Sequence, residues 1–155
     1  MTRLPLKLAV LAFALAATLP ASAAVTVSFP SPTYSDIGAP GFDADSVKND
    51  IARHLQALGG KYLEPAEDLW IEVMDVDLAG ERTHGRYDLR VARGNSDFPR
   101  MTLRYKLSGP QRNASGEDSI GDSSYLWFPS RARQPERLDS EKRMLDDWFK
   151  QRFAR

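Results

Sequence analysis

Hydrophobic residues return along the chain at two different spacings, and each spacing predicts one kind of element. In the first half they return every three or four positions: Val47, Ile51, Leu55 and Leu58. This is the period of an α-helix with one apolar face. Gly59 and Gly60 follow, and because glycine accepts the left-handed backbone of a helix C-terminus, we predict that the helix ends there. A second helical stripe near the C-terminus consists of Leu138, Leu145, Trp148, Phe149 and Phe153.

Other segments alternate apolar and polar residues with the two-residue period of a β-strand. The clearest alternation occupies residues 101–108, and weaker ones occupy 25–29, 69–78, 87–92 and 114–121. Apolar residues on both sides of 69–78 favour a central strand. The order of elements is therefore β-α-β-β-β-β-α. It predicts a single two-layer α+β domain, with an antiparallel sheet of about five strands and both helices packed on one face.

The N-terminal segment has the pattern of a secretory signal. A basic start precedes an apolar stretch that ends at Pro20, and Ala-Ser-Ala at 21–23 provides the small residues that a signal peptidase needs. The apolar stretch is shorter than the about 20 residues that span a bilayer. We predict a signal peptide at 1–23, one domain at 24–155, a periplasmic location and no membrane anchor after cleavage.

Composition removes several classes of function. The chain has no cysteine, which excludes disulfides, thiol catalysis, cysteine-based zinc sites and a lipid on an N-terminal cysteine. Its 21 basic and 21 acidic residues balance, whereas nucleic-acid binders are strongly basic. We therefore predict no nucleic-acid partner and no cofactor. We expect a monomer whose partner is an envelope protein or a small ligand.

An acidic segment follows the central strand and contains Asp75, Asp77 and Glu81. On a regular strand Asp75 and Asp77 share the side of the odd-numbered apolar residues before them. Two adjacent carboxylates can form an acid/base pair or part of a metal site, but magnesium or calcium needs about six oxygen ligands. We predict no metal and no catalytic residue, and interpret the segment as a structural ion pair with arginines. A small hydrolase or metal-dependent enzyme at Asp75 and Asp77 is the alternative.

The candidates for ligand binding are one aromatic segment and one polar strand face. The segment is Tyr125-Leu126-Trp127-Phe128. Exposed aromatic rings anchor interfaces and buried ones fill cores, and both interpretations stay open for these rings. Strand alternation places four residues on the polar face of the sheet: Glu72, Arg90, Arg104 and Lys106. We select Tyr125, Trp127, Phe128 and Arg104 as binding residues.

Five segments also carry a joint similarity to known sequences: VTVSFPSPTYSD, IARHLQALGGKYL, DVDLAGE, MTLRYKL and EKRMLDDWFKQRFA. Together they resemble the bacterial domain of unknown function 3016 family, with DVDLAG and MLDDWF as the most specific parts. The resemblance implies an exported single-domain protein of Gram-negative bacteria. It implies no activity, because the family has no established one. We predict a non-catalytic binding or interaction module of the cell envelope.

Overall fold

The computed structural model describes five stretches of the chain: residues 23–37, 44–82, 90–91, 97–126 and 137–154. The predicted signal peptide, apart from its last residue, lies outside these stretches. In chain order the elements are β1 Ala24–Ser28, α1 Ala44–Tyr62, β2 Asp68–Asp77, β3 Glu81–Arg82, β4 Arg90–Val91, β5 Arg100–Ser108, β6 Asn113–Gly121 and α2 Asp139–Phe153.

Among the described residues, four strands form the main sheet in the order β1-β2-β5-β6. The pairs β2–β5 and β5–β6 are antiparallel. In contrast, β1 runs parallel to β2, because α1 carries the chain back along the sheet between the two strands. The predicted α+β class is confirmed: a mostly antiparallel sheet packs with two helices.

The two short strands β3 and β4 pair with each other in a small second sheet. The predicted strand at 87–92 is represented among the described residues by β4, which does not join the main sheet. Arg90 lies in β4, so its predicted place on the polar face of the main sheet is wrong. Its side chain instead reaches the turn after β2, where Nε donates a hydrogen bond to the Ala79 carbonyl at 2.9 Å.

The hydrophobic core lies between one face of the main sheet and the two helices. All four residues of the predicted α1 stripe are buried, and so are Leu145, Trp148, Phe149 and Phe153 of the α2 stripe. Alternate residues of β2 and β5 enter the core from the sheet side. Among the described residues, neither helix is both long and apolar enough to cross a membrane.

Four aromatic rings join α2 to the sheet. Phe153 packs edge to face against Tyr105 of β5 at 5.4 Å and against Trp148 at 5.5 Å between ring centroids. Phe149 and Phe153 are 4.9 Å apart. Each such pair contributes about 0.5–1.5 kcal/mol of stabilisation beyond that from the area it buries. These contacts therefore fix the face that α2 presents to the sheet.

A β-bulge changes the side on which the acidic residues of β2 lie. The pairing with β5 shifts register between Val73 and Asp75. Because a bulge inserts one extra residue, the alternation restarts after it, and Val76 takes the buried position at 0% exposure. Asp75 and Asp77 consequently pair with Thr102 and Arg100, away from the core. The expectation that they share the side of the odd-numbered apolar residues is wrong for this reason.

Candidate functional site

The face of the main sheet that points away from the helices, called the open face below, carries its side chains in cross-strand rows. One row consists of Thr26, Trp70, Lys106 and Ser115, which the strand pairing places side by side. Neighbours in such a row have Cβ atoms about 4.5–5.5 Å apart, so they form one continuous surface. Trp70 stands out in this polar row because it is a large aromatic residue, and 43% of it is exposed.

The next row consists of Ser28, Glu72, Arg104 and Glu117. Arg104 donates Nη1 to Glu72 Oε2 at 3.1 Å, and both Nε and Nη2 to Glu117 Oε2 at 3.2 and 3.0 Å. These hydrogen bonds, those to Glu117 first, raise the pKa of Arg104. The guanidinium thereby connects three strands and holds two carboxylates in position on the open face.

The two rows line a groove of about 580 Å³, called the Trp70 groove below. Its remaining lining residues are Tyr105 and Gly116. Gly116 leaves room for the Tyr105 phenol, because a Cβ at this position would lie 2.8 Å from the phenol oxygen. Binding sites for small molecules usually measure about 300–1,000 Å³. The Trp70 groove has the size of such a site.

Side chains dominate the chemistry that the open face offers to a ligand. β2 and β5 each have a strand on both sides, so their backbone groups are engaged in the sheet. A ligand above these strands meets the indole of Trp70, the charged ends of Arg104 and Lys106, and the neighbouring carboxylates and hydroxyls. The groove can therefore stack on a flat apolar surface and exchange hydrogen bonds around its edge.

Of the predicted binding residues, the structure places Arg104 in the Trp70 groove. Trp70 itself was not among the candidates, because on sequence it counts as one more apolar residue of a central strand. Its position was the signal that could have identified it. Trp70 lies two residues before Glu72 in β2 and so shares its strand face, and it pairs with Lys106 of β5. Because Trp is enriched at the energetic centres of interfaces, its position among polar residues of one strand face makes this face a candidate binding surface.

The predicted aromatic segment lies elsewhere on the chain. Tyr125, in the turn after β6, is only 7% exposed. Burial, together with the carboxylates of Asp97 and Glu141, raises the pKa of its phenol. Leu126 is 44% exposed, and Trp127 and Phe128 lie outside the described residues. Tyr125 is thus packed inward, and the structure does not bring it into the Trp70 groove.

Asp75 is held by a serine of the preceding loop. The Ser35 amide donates to Oδ1 at 2.8 Å and the Ser35 hydroxyl to Oδ2 at 2.6 Å. Although burial opposes it, these hydrogen bonds lower the pKa of Asp75. Both carboxylate oxygens are therefore engaged in joining β2 to the loop after β1.

Asp77 has a looser environment than Asp75. Within the described part of the chain it forms an ion pair with Arg100, whose Nη1 lies 4.0 Å from Oδ2. Burial and repulsion from Asp36 raise the pKa of Asp77. The positive charge of Arg100 acts in the opposite direction but does not outweigh them. The side chain of Glu81 lies outside the described residues. Within the described part of the chain, no cluster of three or more histidines and carboxylates is placed to hold a metal ion.

The turn after β2, which contains the LAG of the DVDLAG segment, is fixed by charged side chains. The Leu78 amide donates to Asp36 Oδ2 at 3.1 Å, and the Ala79 amide donates to Glu141 Oε1 at 2.7 Å. Arg90 binds the carbonyls of the same turn and forms an ion pair with Asp36. This segment is thus a junction that joins β2, α2 and the loop after β1.

Comparison with known proteins gives a family and a few distant structures. The family model described as "Protein of unknown function (DUF3016)" matches residues 23–151, which confirms the resemblance. No curated protein matches the chain. A PelC dodecamer from Paraburkholderia phytofirmans has 16% identity, covers 88% of each chain and has a TM-score of 0.37. A minor lipoprotein from Acinetobacter baumannii has 11% identity, covers 85% of this chain and 88% of that chain, and has a TM-score of 0.24. Neither structure assigns a role to this chain.

Proposed function

The chain belongs to the DUF3016 family, whose function is unknown, and we propose that it is a periplasmic, non-catalytic binding module that holds a ligand in the Trp70 groove. The observation that carries the proposal is the exposed indole of Trp70 on the open face. Trp and Arg, which meet in this groove, are enriched among the residues that carry most of the free energy of binding at interfaces.

The construction of the groove supports a binding role. Arg104 forms ion pairs with both Glu72 and Glu117. The rows stand on strands whose backbones are hydrogen-bonded in the main sheet. A preorganised site loses less conformational entropy when it binds. The paired strands therefore give the open face a rigid backbone on which these side chains stand.

Binding by the groove is tested with isolated fractions of the cell envelope. The purified chain is mixed separately with insoluble wall polymer, membrane vesicles and soluble periplasmic extract, and its distribution is measured by sedimentation. We expect binding to one fraction, with an about tenfold or greater loss of affinity in Trp70→Ala because a central aromatic residue carries much of the contact.

Two control variants separate the groove from the rest of the surface. Val91→Ala removes a residue that is 44% exposed on the small second sheet, and binding should be unchanged. Trp127→Ala tests the predicted aromatic segment separately from the groove. The proposal that the groove binds the ligand fails in two cases. In one, wild type and Trp70→Ala bind equally; in the other, affinity is lost in Trp127→Ala instead.

The periplasmic location rests on the signal pattern and on the position of β1. β1 begins at Ala24, whose amide donates to the Glu67 carbonyl at 3.1 Å. A chain cleaved after Ala23 therefore keeps the whole of β1. We expect the full-length chain expressed in a Gram-negative cell to appear in the osmotic-shock fraction with Ala24 as its first residue by mass spectrometry. As a control, an Ala23→Arg variant should retain residues 1–23. Finding the wild-type chain uncleaved in the cytoplasm would contradict export.

A further inference from the structure

We propose that the Trp70 groove binds a neutral oligosaccharide. This inference rests on the proposed function and adds the chemical class of the ligand. It combines three observations: an exposed aromatic ring, a charge-balanced rim, and hydrogen-bonding groups of both kinds around the ring. A sugar ring presents an apolar C–H surface and a circumference of hydroxyls, which matches this arrangement.

The charges around the groove compensate one another. Glu72 and Glu117 contribute two negative charges, while Arg104 and Lys106 contribute two positive ones. Arg104 is moreover engaged with both carboxylates. Polyanions such as single-stranded nucleic acid bind in grooves with a clear excess of positive charge. The balance in this groove therefore favours a ligand without net charge.

The same rim disfavours other occupants. A purely apolar partner would remove Glu72, Arg104, Lys106 and Glu117 from water without replacing their hydration, which is costly for charged groups. An extended peptide that adds a strand needs the unpaired backbone at the edge of a sheet, whereas the groove presents the side-chain face of the four strands. A cationic ligand on Trp70 would meet the Lys106 ammonium, its direct cross-strand neighbour.

Each part of the groove has a role in this binding mode. The Trp70 indole stacks on the C–H face of one sugar ring. Within the described part of the chain, Arg104 bonds only the Oε2 atoms of Glu72 and Glu117, so each Oε1 accepts a hydrogen bond from a ligand hydroxyl. The hydroxyls of Thr26 and Ser115, at opposite ends of the Trp70 row, both donate and accept.

The test is calorimetric titration of the full mature chain with a defined panel of oligosaccharides. The neutral probes are N-acetylchitotriose, cellotetraose and maltotetraose. The charged probes are trigalacturonate and chitosan trimer. We expect at least one neutral probe to bind and both charged ones to bind more weakly, with an about tenfold or greater loss of affinity in Trp70→Ala. Trp70→Phe should retain part of the affinity because it keeps a stacking surface, and Val91→Ala should retain all of it.

A second variant keeps the test independent of Trp70. Ser115→Tyr places a bulky side chain at the end of the Trp70 row, on an exposed position of the edge strand β6, and should block neutral probes while the melting temperature stays unchanged. Any of three results overturns the inference. These are binding of the charged probes alone, self-association through the open face, and binding of neutral probes that survives both Trp70→Ala and Ser115→Tyr. If envelope material still binds through Trp70 while no neutral probe does, the oligosaccharide assignment fails and the binding module stands. If neither binds, both fail.

Discussion

Arg112, in the turn between β5 and β6, holds the buried carboxylate of Glu67 with two hydrogen bonds: Nε to Oε1 at 2.6 Å and Nη2 to Oε2 at 2.9 Å. The Glu67 side chain is 1% exposed and also accepts the Glu64 amide at 2.9 Å. Arg112 donates its Nη1 to the Phe153 carbonyl at the end of α2. One ion pair therefore ties together the segment before β2, the β5–β6 turn and the C-terminus of α2.

Removing Arg112 should destabilise the fold by about 3 kcal/mol, because the truncation takes two charge-assisted hydrogen bonds away from the buried Glu67 carboxylate. Chemical denaturation of Arg112→Met, Glu67→Gln and the double variant measures this. We expect the double variant to lose less stability than the sum of the two single variants. Additive losses would show that the two side chains act independently.

Gly59 should not tolerate a methyl group, although it lies within α1. A Cβ there would overlap Cγ2 of Val25 in β1, and valine is stiff at χ1. Gly59→Ala is therefore expected to lower the free energy of unfolding by about 1–3 kcal/mol. Gly60→Ala is the matched control, since a Cβ there meets nothing within 4 Å and alanine is favoured in a helix by about 1 kcal/mol. Equal effects of the two substitutions in thermal melts would contradict the close contact.

Glu141 should make the fold less stable as the pH rises. Burial raises the pKa of this carboxyl above its ordinary value of 4.5, so the folded state binds its proton more tightly than the unfolded state. Its contribution is thus most favourable below pH 4.5 and is lost as the pH rises through the folded-state pKa. Gln at this position keeps an acceptor for the Ala79 amide and does not titrate. We expect the melting temperature of Glu141→Gln, relative to wild type, to increase from pH 4.5 to neutral pH; a constant difference would contradict the shift.

Asp118 should have the opposite pH dependence. Although burial opposes it, hydrogen bonds from the Trp148 indole and the Arg152 guanidinium lower the pKa of Asp118 below 3.8. The stabilisation is therefore present above pH 3.8 and is lost as the pH falls through the folded-state pKa. Asp118→Asn should cost about 1–2 kcal/mol at neutral pH, allowing for the partly exposed Arg152, and less in acid. Unfolding curves from neutral pH to below 3.8 measure this, and a loss that is independent of pH would contradict it.

The apolar faces of the helices were the most predictable part of the fold, although the predicted end of α1 at Gly59 and Gly60 is wrong, because the helix continues to Tyr62. The stripes that contain Ile51 and Phe149 are visible because a helix turns its apolar residues to one side whatever it packs against. The bulge after Val73 was not predictable, since it adds one residue without a glycine to mark it. The parallel pairing of β1 was also hidden, because alternation within a strand does not determine the direction of its neighbour.

The Trp70 groove was predictable only in part. Arg104 could be assigned to the polar face because β5 alternates regularly along its whole length. Trp70 was obscured by its neighbours in β2, because Met74 and Val76 share its even-numbered positions and suggested that this face was buried as well as the face of Leu69 and Ile71. The groove also needs β1 and β6 on either side of the central strands, and strand order is a property of the chain topology rather than of any one segment.

The parallel pairing of β1 with β2 has a consequence for the order in which the chain folds. β1 is the first element described, yet its hydrogen-bonding partner begins only at Asp68, after the whole of α1. A chain synthesised from its N-terminus exposes Ala24–Ser28 long before that partner arrives. Closing this long loop must precede the gain from pairing, so a strand that is made early is among the last to join the sheet.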